Sequence, residues 1–242
     1  MCASRLIERS AIRATGEGPT LRAKSETMKR AFGINILRSL EDICEAGRVA
    51  LLVYDMQVGI VSQVAGGDSI IASVQRVLDA TRRAGLRTYF TRHMSLPLEL
   101  MGAFQYRMAM AWQGVDDPRE VKPWFLRDSP GFAIARQLTP LPSEAIFDKI
   151  TMSAFEGTPL EIALRDCGVT AIAIVGMAIE VGIEPTARHA ADLGLIPIII
   201  ADACGWGDQD AAKRSLDSLG FAGDALITDA STFCRLTSAA GR

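Results

Sequence analysis

The amino-acid sequence predicts an α/β protein in three layers, with a mostly parallel six-stranded sheet between helices. Short, continuous apolar runs such as Val49 to Tyr54 alternate along the chain with segments in which apolar residues recur every three to four positions. Runs of the first kind are typical of strands buried on both faces, and segments of the second kind are typical of amphipathic helices. Because strand and helix alternate, we expect right-handed crossovers and parallel strands.

The individual elements follow from the same patterns. The predicted strands are residues 49–54, 86–91, 145–149, 171–175, 196–201 and 225–228. The predicted helices are residues 68–84, 158–167, 185–193 and 211–219, of which the first three are followed by Gly85, Gly168 and Gly194 as stop signals. The stretch from Ser95 to Pro142 exceeds ordinary loop lengths, which indicates a lid or a binding segment.

The N-terminal part is predicted to lie outside this pattern, which divides the chain into an arm and helix at residues 1–47 and one α/β domain at 48–242. Residues 1–25 are polar and are expected to form a loose arm. From Ser25 to Glu45, apolar residues recur at helical spacing, so a helix is predicted there. This helix would pack on the domain or clasp a partner subunit, and the sequence leaves both open.

Composition narrows the class of protein. A chain of 242 residues fits one large α/β domain, and a net charge of −2 gives no reason to expect nucleic acid or an anionic membrane surface as a partner. The five cysteines are scattered without a CxxC motif, which is typical of reduced intracellular thiols. The sequence has no apolar stretch of about 18 residues and no signal-like start, so we expect a cytoplasmic protein.

Ionisable residues stand where the predicted strands end. In open parallel sheets, ligands bind beyond the carboxyl ends of the strands, and this rule selects Asp55, His93, Lys149, the turn at 176–182 and the loop at 202–206. Asp55 would be a partly desolvated carboxylate suited to proton transfer, or an ordinary cap or loop residue. Lys149 would hold a carboxylate or an oxyanion, or would reach out to solvent.

Taken together, these residues resemble the isochorismatase-like hydrolase superfamily, which includes nicotinamidases, N-carbamoylsarcosine amidase and biuret or ureidoacrylate amidohydrolases. The resemblance covers residues 48–235 and rests on Asp55-Met56-Gln57, Lys149 with Ser153-Ala154-Phe155, Leu164 to Gly168, and the Gly176 turn that leads into Thr186-Ala187 and Ala190 to Gly194. It implies a small-molecule substrate and a homodimer or homotetramer.

The resemblance also implies roles for particular residues. Asp55 would carry the proton and Lys149 would be its partner. A cis peptide would join Met177 to Ala178, and the N–H groups of Ala178 and residue 182 would form an oxyanion hole. The candidate pocket residues are Gln57, His93, Trp112 and Phe155.

Gly182 is the departure from most of the family, which carries a nucleophilic cysteine at this position. A glycine excludes acyl-enzyme chemistry there, unless another thiol such as Cys204 substitutes. The family's true isochorismatases also carry glycine, and they hydrolyse a vinyl ether, which needs a proton donor and water but no thiol. In this interpretation Asp55 protonates the substrate and Gly182 makes room for it, although a nearby Lys149 ammonium opposes the protonated acid.

Two alternatives stay open at this point. One is an amidohydrolase for a small amide or ureide, with Asp55 as a base on water and its cysteine lost or replaced. The other is a small-molecule binder without turnover. No metal is expected, because the chain contains only two histidines, His93 and His189, and a histidine-rich site cannot be built from them. No cofactor is expected either.

Overall fold

The computed structural model describes residues 29–45 and 48–240 of the chain. The first described elements are two three-residue strands, β1 (Lys29–Ala31) and β2 (Ile34–Ile36), which pair antiparallel as a hairpin. All six strand residues are exposed. Their apolar side chains therefore do not form the buried face on which a helical pattern depends.

The helix predicted from Ser25 to Glu45 is wrong over this hairpin. Phe32 and Gly33 connect the two strands with φ angles of 49° and 83°. Two successive positive φ angles are typical of a tight hairpin turn, and they interrupt any helix, which needs negative φ at every residue. Helical structure begins only at α1 (Leu40–Glu45), and residues 25–28 lie outside the described part.

Six further strands form one sheet in which every neighbouring pair is parallel. They are β3 (Val49–Tyr54), β4 (Arg87–His93), β5 (Ala145–Lys149), β6 (Ala171–Gly176), β7 (Ile196–Cys204) and β8 (Leu226–Thr228). Their spatial order is β5, β4, β3, β6, β7, β8. The central strand β3 is buried at each of its residues, as the apolar run predicted.

Helices cover both faces of this sheet. They are α2 (Val58–Val61), α3 (Gly67–Arg83), α4 (Ala103–Gln113), α5 (Leu160–Asp166), α6 (Glu184–Asp192), α7 (Gln209–Ala222) and α8 (Ala230–Ala240), with a π-helix at Ile179–Ile183 that leads into α6. Residues of α1, α3 and α8 share one buried cluster, and residues of α5, α6 and α7 share the other. The predicted three-layer α/β class is confirmed.

Side chains of β3 alternate between the two buried clusters. Leu51 and Val53 belong to the cluster with α3, whereas Leu52 and Tyr54 belong to the cluster with α6. This alternation is the ordinary period of a strand. It sends Tyr54 towards the π-helix and α6, and it leaves Asp55 at the carboxyl edge of the sheet.

The structure adds elements that the sequence patterns did not predict. The stretch from 95 to 142 contains the helix α4, none of whose residues is buried, and several short 3-10 turns. The C-terminal helix α8 packs against α3 and β7. No helix within residues 29–45 and 48–240 has the length and apolar character that crossing a bilayer requires. The predicted domain division between residues 47 and 48 stays a prediction.

The packing of β3 gives a stability prediction. Leu52 is fully buried, so Leu52→Ala removes apolar contacts and leaves a cavity, and we expect a loss of about 2–5 kcal/mol in the free energy of unfolding. Leu100 is 67% exposed, and Leu100→Ala should change the same quantity by less than about 0.5 kcal/mol. Urea unfolding followed by circular dichroism measures both. Equal losses in the two variants would contradict the assignment of the core.

Candidate active site

An ion pair lies at the carboxyl edge of the sheet. Asp55 directly follows β3 and Lys149 ends β5, and β4 lies between these two strands. The Lys149 side chain reaches across the end of β4, so that its Nζ lies 2.7 Å from Oδ2 of Asp55. Both residues are 3% exposed. The two groups predicted to be partners are therefore in direct contact and nearly removed from solvent.

Every N–H of the Lys149 ammonium has an acceptor. Besides Asp55, Lys149 Nζ donates to the Tyr54 hydroxyl oxygen at 2.8 Å and to the Thr151 carbonyl oxygen at 3.0 Å. Three acceptors match the three protons of an ammonium. Burial lowers the pKa of Lys149, and the Asp55 carboxylate beside it raises it in part compensation. The proton of Lys149 is therefore held less tightly than that of a lysine in water.

Thr91 holds the other oxygen of Asp55. Its hydroxyl donates to Oδ1 of Asp55 at 2.7 Å and accepts from the Asp55 backbone N–H at 3.3 Å. Asp55 itself has a φ of 47°, in the left-handed region that few residues other than glycine, asparagine and aspartate adopt. Residues in this region concentrate at functional sites, where surrounding contacts maintain them. Here the contacts are Thr91 and Lys149, and together they fix the direction of the carboxylate.

The space beside Gly182 is filled by the ring of Tyr54. A Cβ atom built on Gly182 would lie 2.6 Å from Cε1 of Tyr54 and closer still to its Cζ and hydroxyl oxygen. Carbon atoms in van der Waals contact are about 3.5–4.0 Å apart, so no side chain fits at residue 182 while Tyr54 keeps this position. The expectation that Gly182 makes room for substrate is therefore wrong, because the tyrosine occupies that room.

Cys204 does not substitute for the missing thiol. It is fully buried at the end of β7, and its Sγ lies 3.6 Å from the Ile174 carbonyl oxygen. Burial raises the pKa of this thiol to about 12. Since the thiolate is the nucleophilic form, a cysteine in this state does not serve as a nucleophile.

The turn after β6 has the expected cis peptide between Met177 and Ala178. The second predicted feature of this turn is an oxyanion hole formed by the N–H groups of Ala178 and residue 182, and the second of these groups is not free. The Gly182 N–H donates to the Ala178 carbonyl oxygen at 3.0 Å as part of the π-helix. An oxyanion hole that uses this N–H would first have to break that hydrogen bond.

A cavity of about 300 Å³ opens at the ion pair. Its walls are mostly apolar or aromatic, with a few polar groups. The lining residues are Tyr54, Asp55, Ile60, Gln63, Val64, His93, Trp112, Trp124, Phe125, Met152, Met177, Ala178, Val181 and Gly207. Among the described residues, no lysine or arginine lines this cavity.

His93 is uncharged at neutral pH. Burial and, to a smaller extent, the neighbouring Lys149 ammonium lower its pKa from 6.5 to about 4, although the Asp55 carboxylate opposes the change. Its ring contacts Phe125 edge to face, with 6.1 Å between the ring centroids. His93 therefore contributes a neutral, aromatic wall to the cavity. In the part of the chain that the structure describes, no three His, Cys, Asp or Glu side chains are placed to hold a metal ion.

The structure separates the four candidate pocket residues. His93 and Trp112 line the cavity, and Gln57 and Phe155 do not. Gln57 is fully buried, and its amide accepts from the His93 N–H at 2.6 Å and donates to the carbonyl oxygens of His93 and Phe132. Phe155 packs in the cluster on the α6 side of the sheet. The contacts shown for both residues are with protein, and neither faces the cavity.

Several residues of the site were not predicted. Tyr54 ends the apolar strand β3, and Thr91 is buried in β4. A buried hydroxyl group needs a hydrogen-bond partner, and that need is the signal by which sequence reasoning could have selected them. Ile60, Gln63 and Val64 follow Asp55 in α2 and the loop after it, and they carry no signal of their own. Their place in the cavity depends on how α2 turns back over the sheet.

Comparisons with known proteins agree with the fold. Residues 49–231 match the family model of the isochorismatase domain. An uncharacterized isochorismatase family protein, YecD of Escherichia coli O157:H7, is 26% identical over 181 residues, which cover 72% of this chain and 88% of that protein. Ureidoacrylate amidohydrolase RutB of Methylobacterium radiotolerans is 28% identical over 157 residues, which cover 63% of this chain and 61% of that protein.

Solved structures show the same fold. A cysteine hydrolase from Pseudomonas syringae pv. phaseolicola 1448A superposes with a TM-score of 0.68 at 23% sequence identity. The superposition covers 80% of this chain and 93% of that chain. At this level of identity, the likeness establishes the shared architecture.

His93 gives a prediction about pH. Its folded pKa lies below its unfolded value, so only the unfolded chain takes up a proton between pH 6.5 and about 4, and stability falls as pH falls through this window. Over this window, we expect His93→Gln to reduce the loss in the free energy of unfolding by about 3 kcal/mol, because the pKa of His93 differs by roughly 2.5 between the folded and unfolded states. Urea unfolding at several pH values measures it. His189→Gln, at the other histidine of the chain, is the control and should lose stability with falling pH as the wild type does. If the free energy of unfolding of His93→Gln changed with pH in parallel with that of the wild type, the assignment of this pH dependence to His93 would be wrong.

Proposed function

Because this chain belongs to the isochorismatase family of hydrolases, we propose that it hydrolyses a small, uncharged molecule by direct attack of water, with vinyl ether hydrolysis as the favoured reaction. The observation that carries the proposal is the Tyr54 ring beside Gly182, next to an intact Asp55–Lys149 pair. The site keeps a group that moves protons, and it has no volume for a nucleophile at residue 182. A reaction without a covalent intermediate suits such a site.

The proton of this reaction comes from the ion pair. Lys149 passes a proton along the 2.7 Å hydrogen bond to Asp55, and Asp55 delivers it to the terminal carbon of the vinyl ether. Protonation converts the substrate into an oxocarbenium ion and leaves neutral Lys149 beside the Asp55 carboxylate. Water then attacks the cationic carbon and returns a proton to the pair. The hemiketal collapses to a carbonyl compound and an alcohol, so protons balance over the cycle.

The walls of the cavity suit the cationic intermediate. Trp112, Trp124 and Phe125 surround the space in front of Asp55. The negative faces of aromatic rings attract cations, and this attraction grows when water is excluded. A cation that forms between these rings and the Asp55 carboxylate is stabilised at the moment when charge appears.

The charges of the side chains that line the cavity determine which charge the substrate can carry. No lysine or arginine among the described residues lines it, and His93 is neutral. Transfer of an anion from water into a site without a counter-charge costs free energy, because its hydration is lost. This cost disfavours an anionic substrate and supports the proposed uncharged one, which is apolar or aromatic over most of its surface. An ether with several carboxylates, such as isochorismate itself, fits this cavity poorly.

Amide hydrolysis is the second candidate. It is supported by the sequence similarity to a ureidoacrylate amidohydrolase. In this reaction Asp55 acts as a base on water, and a tetrahedral oxyanion must be stabilised. The Gly182 N–H already donates to the Ala178 carbonyl, and no cysteine of the described residues lines the cavity, so the amide reaction has less support from the site than the ether reaction.

The role of Asp55 is tested by Asp55→Asn, which keeps the shape of the side chain and removes its charge. We expect turnover to fall by about 10³-fold or more, because the variant has no group that relays the proton. Asp148→Asn is the matched control, since Asp148 is an ion-paired carboxylate of β5 whose partners are Arg92 and Arg127. It should retain turnover within about 10-fold. Equal losses in two folded variants would argue against Asp55 as the proton carrier.

The substrate class is tested with an α-alkoxyacrylate and its methyl ester, which differ by one charge. We expect kcat/KM for vinyl ether cleavage to be about 10-fold or more higher for the uncharged ester. Pyruvate and methyl pyruvate are measured as products, and ammonia is measured from a parallel panel of amides and ureides. Ammonia without carbonyl product would favour the amide reaction. Ligand binding without either product would favour a non-catalytic binder.

A further inference from the structure

The proposed proton transfer from Lys149 to Asp55 assigns no role to Tyr54, although Tyr54 lies in the same site. We infer that Tyr54 is a positioning residue that holds the Lys149 ammonium against Asp55, and that residue 182 is glycine because the Tyr54 ring occupies its side-chain space. This inference rests on the proposed function only for its effect on turnover. The contacts that it describes are testable without any substrate.

The hydroxyl of Tyr54 is oriented by two contacts. It donates its proton to the Met152 carbonyl oxygen, and its oxygen accepts from Lys149 Nζ at 2.8 Å. Because the proton is committed to Met152, a lone pair of the oxygen points to the ammonium. Lys149 Nζ also lies 4.3 Å from the centroid of the Tyr54 ring, within the range of a cation–π contact. One side chain thus contacts the ammonium through both its oxygen and its ring.

Tyr54 does this as a neutral group. It is 2% exposed, and burial, followed by the neighbouring Asp55 carboxylate, raises its pKa well above 10. A neutral acceptor stabilises the ammonium without competing for its proton. Asp55 is then the one anionic neighbour of Lys149 in the described residues that can receive that proton, and the hydrogen bonds direct transfer along a single path.

Gly182 and Tyr54 restrict each other. A Cβ at residue 182 would overlap the outer atoms of the Tyr54 side chain, among them the hydroxyl oxygen that accepts from Lys149. Any side chain at 182 therefore either displaces Tyr54 or fails to fit. The ammonium contact and the absence of a side chain at 182 are two results of the same packing.

The first experiment measures the ammonium directly. In Tyr54→Phe, Lys149 loses one of its three acceptors, so we expect the pKa of Lys149 to fall by about one unit. The other titratable groups that face Lys149 are Asp55 and His93, and His93 changes charge only at about pH 4. The pKa is read from the ¹³Cε shift of labelled lysine, assigned with Lys149→Arg. Tyr89→Phe, at a second buried tyrosine, is the control and should leave this shift curve unchanged.

The second experiment is a double-mutant cycle on stability. Gly182→Ala alone should lower the equilibrium constant for folding by about 10-fold or more, because the methyl group meets the Tyr54 ring. In a Tyr54→Leu background, whose shorter side chain lacks those atoms, the same change should lower it by less than about 3-fold. Gly220→Ala, where a Cβ meets only Ile227 at 3.6 Å, is the control in both backgrounds.

The outcomes separate the two proposals. An unchanged Lys149 pKa in Tyr54→Phe, or equal effects of Gly182→Ala in both backgrounds, would overturn the inference. When a substrate is known, Tyr54→Phe should lower kcat by about 10-fold, with KM changed less than about 2-fold, and should move the basic limb of the pH profile to lower pH. A shifted Lys149 pKa in a protein that turns over neither ethers nor amides would support the positioning role and reject the proposed function.

Discussion

The structure of this site depends on one buried positive charge, which needs partners that neutralise it. Lys149 Nζ has no exposed surface of consequence, and an ammonium moved out of water without partners would cost several kcal/mol. Asp55 supplies the opposite charge, Tyr54 and the Thr151 carbonyl supply the two remaining acceptors, and Thr91 fixes the carboxylate. The parallel sheet makes this possible, because it brings the ends of three neighbouring strands to one edge.

The same pairing makes the site neutral overall while it still contains a transferable proton. Lys149 and Asp55 cancel each other, and burial keeps His93 uncharged. A neutral cavity attracts no ions from solvent. Its apolar walls strengthen the electrostatic interactions of any charge that forms inside it. These properties suit a reaction in which substrate and products are neutral and charge exists only in between.

Much of this arrangement could be predicted from sequence, because it depends on burial along single strands. The apolar run of β3 identified a strand buried on both faces, and its end identified Asp55. Lys149 was identified as the residue that ends β5, a strand that is only partly buried. The hairpin at residues 29–36 could not be predicted from spacing, because its apolar side chains are exposed. The helix α4 was not predicted for a related reason, since none of its residues is buried and its pattern reflects no packed face.

The contacts across the site were outside the reach of such patterns. Gln57 was expected in the pocket, but its amide satisfies backbone groups near His93, a need that only the folded chain reveals. The glycine at 182 was read as the loss of a thiol, whereas the packing around it depends on a tyrosine from a different strand. Sequence patterns identify which side chains lie at the end of each strand. The packing of the folded chain determines which of these side chains contact each other.

The overlap between the Tyr54 side chain and any side chain at residue 182 also limits the order in which substitutions at these two positions can accumulate during evolution. A chain of this kind that acquires a side chain at 182 first places two groups in one volume, and its folded state is disfavoured. A chain that first exchanges Tyr54 for a smaller residue opens a void that a later side chain can fill. Mutational routes between a thiol-free and a thiol-bearing site therefore pass through position 54.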